Sequence, residues 1–359
     1  MDRKLTYIPY NIKFCPFKDR HEISIKILNE RYGIKLCDLD VSPIDTLINI
    51  FQTLIPQKKR KIIESVDFQC PEKEKKGYAN LRSKILIGKD LNPHLSKQTF
   101  NPKFNDGMHL DFGLYHLHLG VDFERDKRGN YFSERTGPLL VAYITDDMVY
   151  CVGIFEHSSE LWSNSKLIEI IDREWPHLIE DKKVKYAKDI SPIIEDKDRD
   201  RLRKKGLNTV VTLPNGSNYQ WLGGGIAASG GSAKAGMLVA HNNGLIFRAT
   251  QAFIKMIVES DSFKDNIPIY YGDIELKLIS LPDRKFSAID KNSGIIYHFN
   301  FSQNEYMVIN PTYLPRYAIF HTGVEMTTLS ITINAILKVN RGDGINTYLQ
   351  YPSIYIISN

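Results

Sequence analysis

Apolar residues recur at helical spacing in several stretches of the chain. Ser42-Pro43-Ile44-Asp45-Thr46 opens the clearest one, with Ser42 placed to cap and Pro43 suited to the first turn. Leu47, Ile48, Ile50, Phe51 and Leu54 then supply one apolar stripe, and Pro56 ends it. Tyr78 to Leu86 reads as a second helix stopped by Gly88, and Trp162 to Trp175 as a third through Leu167, Ile168, Ile170 and Ile171. Ala249 to Val258 predicts another, whereas Asp19 to Arg31 fits strand or helix equally. Alternation takes over at Leu114 to Leu119, Leu139 to Thr145 and Met148 to Phe155. The last two predict a hairpin across Asp146-Asp147. Further on, Asn208 to Leu213 and Tyr219 to Leu222 flank the turn Pro214-Asn215-Gly216-Ser217. From Ile267 onward, short Tyr- and Ile-rich runs alternate with turns, the spacing of an antiparallel sheet.

A length of 359 residues suggests two or three domains. The segments Glu180-Asp181-Lys182-Lys183 and Glu195 to Arg201 carry dense mixed-sign charge, the composition of an exposed linker or helix. The expected organisation is an N-terminal α/β region over 1–80, a central domain over 81–180, a charged linker over 181–206 and a mainly β domain over 207–359. The fold class is therefore α+β. A hydrophobic content of 42% is ordinary for a globular protein, and a net charge of +5 suits an RNA or phosphate partner without requiring one. No apolar run approaches a bilayer span and the N-terminus has no apolar signal core, so a cytoplasmic protein without membrane contact is expected. The four cysteines form no C-x-x-C pair, which points to reduced thiols rather than a disulfide framework or zinc knuckle. Lys58-Lys59-Arg60-Lys61 is a basic cluster that reads first as a solvated helix end.

The chemistry concentrates at His116 and His118. They stand two apart on a predicted strand, so both imidazoles leave the same face, roughly 6–7 Å apart along the backbone. Two such rings can move protons, hold a phosphate or share a metal. Tyr115 faces the other way and reads as core. His94, His109 and His177 read as structural, as does Asp147 in its turn.

The stretch from about 84 to 178 resembles the YafO-type mRNA interferase toxins of the RelE/ParE superfamily. The resemblance rests on Gly88-Lys89-Asp90-Leu91-Asn92-Pro93-His94-Leu95 after a helix and His116-Leu117-His118-Leu119 on a strand. It continues in Phe132-Ser133-Glu134-Arg135-Thr136 in a loop and the paired hydrophobic strands followed by His157. Glu134 interrupts the Ser-Arg contiguity, and His157 lies closer to its strand than the family's late histidine. The resemblance implies a RelE-like centre, a small antiparallel sheet packed on helices. It also implies endoribonuclease activity on RNA, often ribosome-bound mRNA, in a toxin–antitoxin or phage-defence setting, with an antitoxin as partner and no cofactor. His116 or His118 is then the base, Arg135 the phosphate clamp and His157 the acid.

Three rival readings remain. His116, His118 and His157 with Asp111 or Cys151 would supply zinc ligands for a metal hydrolase. Gly223 to Ser232 before a small-residue helix resembles a phosphate cradle, yet lacks the Gly-Lys-Ser/Thr ending, so close packing or a flexible turn is the first reading. Tyr270, Tyr271, Tyr297, Phe299, Phe301, Tyr306, Tyr313 and Tyr317 would serve either as sheet core or as the stacking surface of a non-catalytic structural or regulatory binding protein.

Overall fold

A computed structural model describes residues 12–186, 190–259, 274–281, 285–292, 294, 296–300 and 305–309. In chain order, the described residues begin with β1 (Ile12–Phe14), α1 (Pro16–Tyr32), α2 (Pro43–Thr53), β2 (Lys61–Glu64), α3 (Lys75–Ile87) and α4 (Gly107–Phe112). Five strands follow: β3 (Tyr115–His118), β4 (Phe123–Arg125), β5 (Tyr131–Ser133), β6 (Leu139–Ile144) and β7 (Met148–Phe155). Then come α5 (Lys166–Glu174), α6 (Asp196–Arg203), β8 (Val211–Thr212), β9 (Asn218–Tyr219) and the long α7 (Ala233–Glu259). The last described elements are β10 (Ile274–Leu278), β11 (Lys285–Asp290), β12 (Ile296–Asn300) and β13 (Glu305–Ile309). The mixture is α+β, with seven α-helices and four small sheets among the described residues. The chain divides into two compact units, residues 25–239 and residues 1–24 with 240–359.

The unit of residues 25–239 is organised on a four-stranded sheet in the order β2-β7-β6-β3. β3, β6 and β7 pair antiparallel, whereas β2 runs parallel to β7. The expected small antiparallel sheet thus carries a parallel edge strand. The more than eighty residues between β2 and β7 supply the long crossover that parallel pairing needs. The hairpin falls where alternation predicted it, and Thr145 N–H donates to the Met148 carbonyl at 2.9 Å across the turn.

Alternation separates two cores. Leu117, Leu140, Ala142, Val149 and Cys151 pack with Leu81 and Ile85 of α3. The opposite face carries Leu139, Val141 and Val152, covered by Leu167, Ile168 and Ile171 of α5 and by Met108 and Phe112 of α4. The helices carry the predicted punctuation: the Asp45 N–H donates to the Ser42 hydroxyl at the start of α2, and Gly88 closes α3 at φ 76°. Gly77 lets α3 approach β3, since a Cβ there would lie 1.8 Å from the Leu119 carbonyl oxygen.

Several expected boundaries move. β2 comes from the first eighty residues yet is part of the sheet, and 181–206 is no plain linker. Its charged run folds as α6, with Arg199 and Arg203 buried. Arg199 donates to the Thr209 hydroxyl at 2.6 Å, and its guanidinium and that of Arg203 lie about 6 Å from the Phe112 ring. The glycine segment packs closely: Gly223 and Gly225 donate to the Asp111 and Leu110 carbonyls at 3.0 Å, and a Cβ on Gly223 would lie 1.9 Å from the His109 carbonyl oxygen. Arg60 of the basic cluster is buried and donates to the Thr145, Pro56 and Lys58 carbonyls, a structural role.

The second unit holds the sheet β1-β10-β11-β12-β13, antiparallel except for the parallel β1–β10 pair. Ile274, Leu276, Leu278, Phe286 and Phe299 are buried with Ile246 and Ala249 of α7. Tyr297 and Phe299 are therefore sheet core. Tyr270, Tyr271, Phe301, Tyr313 and Tyr317, and the side chain of Tyr306, lie outside the described residues. The helix expected over 249–258 is the second half of the longer α7, which starts directly after the glycine segment.

Candidate functional site

β3 is an edge strand, and this lets its histidines matter. His116 lies opposite Val141 and His118 opposite Leu139, so both rings leave the sheet face that carries α4 and α5. Tyr115 and Leu117 face the other core, as alternation requires. With no strand beyond β3 among the described residues, the rings border a cleft of about 590 Å³ instead of a closed interior. They are 6 and 4% exposed, with centroids 6.4 Å apart and planes at 78°.

The Nδ1 atoms of both rings are buried without a hydrogen-bond partner among the described residues. By elimination Nε2 is the nitrogen each ring opens to the cleft. The nearest charged group is Asp106, whose Oδ2 lies 3.3 Å from His116 Nδ1, out of line for a good hydrogen bond. Asp106 is itself held, because its Oδ1 accepts the His109 N–H at 3.1 Å and caps α4. His118 is in a different electrostatic position. Burial, reinforced by the nearby His116, Arg135, His157 and His94, pushes its imidazole down to about 3, so it is neutral at physiological pH.

His94 braces the strand from behind. Its buried ring bonds the His118 carbonyl through Nδ1 at 2.8 Å and lies 3.0 Å from Lys84 Nζ through Nε2. Burial lowers its value to about 4, which fixes a neutral ring that donates through Nδ1 and accepts from Lys84. His109 contacts the Gln52 carbonyl at 3.1 Å and Tyr115 at 4.5 Å between centroids, and His177 reaches the Tyr150 hydroxyl at 3.5 Å. All three have the structural roles expected of them.

Arg135 and His157 line the same cleft, from the loop after β5 and the loop after β7. Both are exposed, and Arg135 has no ion pair among the described residues. The four residues singled out from the sequence therefore share one cleft. Trp162 joins them: its ring meets His116 at 4.8 Å and His157 at 5.1 Å, edge-on to both.

Sequence reasoning missed Asp106, Trp162 and Arg203, which also line the cleft. Arg203 is 6% exposed; it donates to the Trp162 carbonyl at 2.9 Å and lies 3.9 Å from Asp111. A signal existed for Asp106, since an aspartate before Gly107-Met108 reads as a helix cap. None existed for Arg203, one of many charges in its run.

The ligand set suggested for zinc is split up. Cys151 lies in the core on the other side of the sheet beside Tyr78, and Asp111 is buried against Arg203. Among the described residues no group of three or more His, Cys, Asp or Glu side chains is placed to hold a metal ion. Among the described residues, too, no helix is long and apolar enough to cross a membrane. The chain matches no family model, no curated protein and no solved structure.

Proposed function

We propose that the cleft is the active site of a toxin-like endoribonuclease that cuts RNA by acid–base chemistry without a metal. The observation that carries this reading is the convergence of His116, His118, Arg135 and His157 on one cleft from three separate stretches of chain. Transfer of a phosphodiester to its own 2′-hydroxyl needs the three things these residues supply. A strand histidine takes the 2′-hydroxyl proton through Nε2 as the O2′–P bond forms. Arg135 meets the charge that builds on the non-bridging oxygens, to which its planar fork is matched. His157 gives a proton to O5′ as the P–O5′ bond breaks, leaving a 2′,3′-cyclic phosphate and a free 5′-hydroxyl.

The likeness of residues 84–178 to the YafO-type interferases supports the same chemistry. It extends the proposal to ribosome-bound mRNA as substrate, an antitoxin as partner and a toxin–antitoxin or phage-defence setting in the cytoplasm. The RelE-like character of the sheet belongs to this proposal too.

The test is RNA cleavage by the full chain in EDTA. Cleavage with cyclic-phosphate ends is expected, and the double variant His116→Ala, His118→Ala is expected to lose it while remaining folded. Unchanged cleavage by the double variant refutes the enzyme reading. Binding of RNA by the native chain with no cleavage under any condition favours a non-catalytic binding protein.

A further inference from the structure

We infer that Asp106 is a positioning residue for His116: its carboxylate holds the Nδ1 proton, so that the Nε2 lone pair of His116, and not that of His118, faces the cleft as proton acceptor. The role of the pair in cleavage rests on the ribonuclease reading; the pairing itself rests on geometry alone.

The carboxylate is fixed before any ligand arrives. Oδ1 is engaged by the His109 N–H at the start of α4, which leaves Oδ2 turned toward His116 Nδ1 at 3.3 Å. Nδ1 is buried and has no other partner among the described residues. A buried N–H without an acceptor is costly, so the tautomer that points its proton at a carboxylate is favoured. The Trp162 ring at 4.8 Å backs the imidazole and limits its rotation.

The surroundings separate the two histidines. Asp106 stands against His116 from the loop before α4, and His118 lies beside it on β3. The rest of the cleft wall contributes Arg135, His157 and, from α6 and its end, Asp200, Arg203 and Lys204. Lys204 is already paired with Asp200 at 2.7 Å. His109 and Asn49 lie behind His116 in a second, small pocket. His118 shares the cations but, among the described residues, has no carboxylate within ion-pair distance, and it stays neutral. Of the two rings only His116 has a carboxylate beside it to face a positive charge, Asp106 at 3.3 Å. The 2′-hydroxyl proton moves to Nε2, while the Nδ1 proton stays in its bond to Asp106.

The experiment is Asp106→Asn in the full chain. Asparagine caps a helix as well as aspartate, so the bond to His109 survives. Its amide N–H₂, however, is turned toward Nδ1 and forces the proton onto Nε2. Imidazole ¹⁵N spectra are expected to show Nδ1 protonated in the native protein and unprotonated in the variant, with an unchanged thermal midpoint. The corresponding exchange in a serine-protease triad lowers kcat about 10⁴-fold through the wrong tautomer, and a loss of about 10²-fold or more in kcat, with KM within about twofold, is expected here. Asp106→Ser, which keeps a cap but removes the acceptor facing Nδ1, is expected to abolish the preference for the Nδ1 proton and to lower kcat should the asparagine variant fold poorly. A folded variant that keeps Nδ1 protonated, or that cleaves at the native rate, overturns the inference. If the tautomer switches but the native protein cuts no RNA, the pairing stands and the substrate reading falls.

Discussion

Mild acid should destabilise the unit that carries the cleft, because burial lowers the imidazoles of His94, His109 and His118, and the first and last of these give the effect a minimum size. His94 and His118 are 0 and 4% exposed, and burial takes them from an ordinary value of 6.5 to about 4 and about 3. Both folded values lie below the unfolded one. Their contribution is therefore complete above about pH 6.5 and is lost as the pH falls toward the folded values, because only the unfolded chain takes up the protons. At about pH 4.5 the unfolded chain has bound, on these two residues alone, close to two protons that the folded unit refuses. At 1.36 kcal/mol per pH unit this is roughly 2–3 kcal/mol for each group, a large part of the 5–15 kcal/mol that typically holds a domain together. Asp111 acts in the opposite sense, since burial raises its carboxyl above the usual range and acid relieves that cost. The comparison that isolates the histidine is therefore His118→Gln against the native chain, by urea titration at pH 7 and about pH 4.5. Glutamine fills similar space and takes up no proton, so the variant should lose about 2–3 kcal/mol less than the native protein over that interval. Equal losses in the two proteins would show that His118 is not held neutral, and would remove the electrostatic distinction between the two cleft histidines.

Two further substitutions test how the site is supported. Gly77→Ala should destabilise by about 3 kcal/mol in urea titrations, because its methyl would meet the Leu119 carbonyl oxygen at 1.8 Å; helix propensity alone predicts a gain of about 1 kcal/mol, so the sign decides whether α3 is packed this closely. Arg203→Ala should cost about 3 kcal/mol by the same measurement, since it leaves Asp111 buried with a weaker cationic environment and the Trp162 carbonyl without its donor. A cost below about 1 kcal/mol would mean that Arg203 is not the anchor of α6.

What the sequence made legible was local. The cap at Ser42, the stop at Gly88 and the hairpin around Asp146-Asp147 each depend on residues within one turn of one another, and the structure has them where the pattern put them. The histidine face was legible for the same reason, since a period of two fixes the side of a strand on which a side chain emerges. Pairing across long stretches was not. β2 joins β7 in parallel over more than eighty intervening residues, and no feature of Lys61–Glu64 names that partner. Nor does the alternation in 267–309 announce that β1, near the start of the chain, completes the second sheet.

The hidden parts of the site follow from the same limit, with charge as the added difficulty. Asp198, Arg199, Asp200, Arg201 and Arg203 look alike in a sequence, and mixed-sign density of that kind is usually solvated. In the fold the run winds into a helix, so residues four apart share a face. Arg199 and Arg203 are buried over Phe112, while Lys204 pairs with Asp200 at the cleft wall. Each buried guanidinium is met in part, Arg203 by the Trp162 carbonyl and Arg199 by the Thr209 hydroxyl, while Arg199 Nε and Arg203 Nε and Nη2 have no hydrogen-bond partner among the described residues and are offset by the charge of Asp111. That arrangement brings α6 to the cleft, and through the Trp162 carbonyl it ties α6 to the ring that backs both His116 and His157. The segment that reads as a spacer thus positions the aromatic partner of the two histidines between which the proposed proton traffic would run.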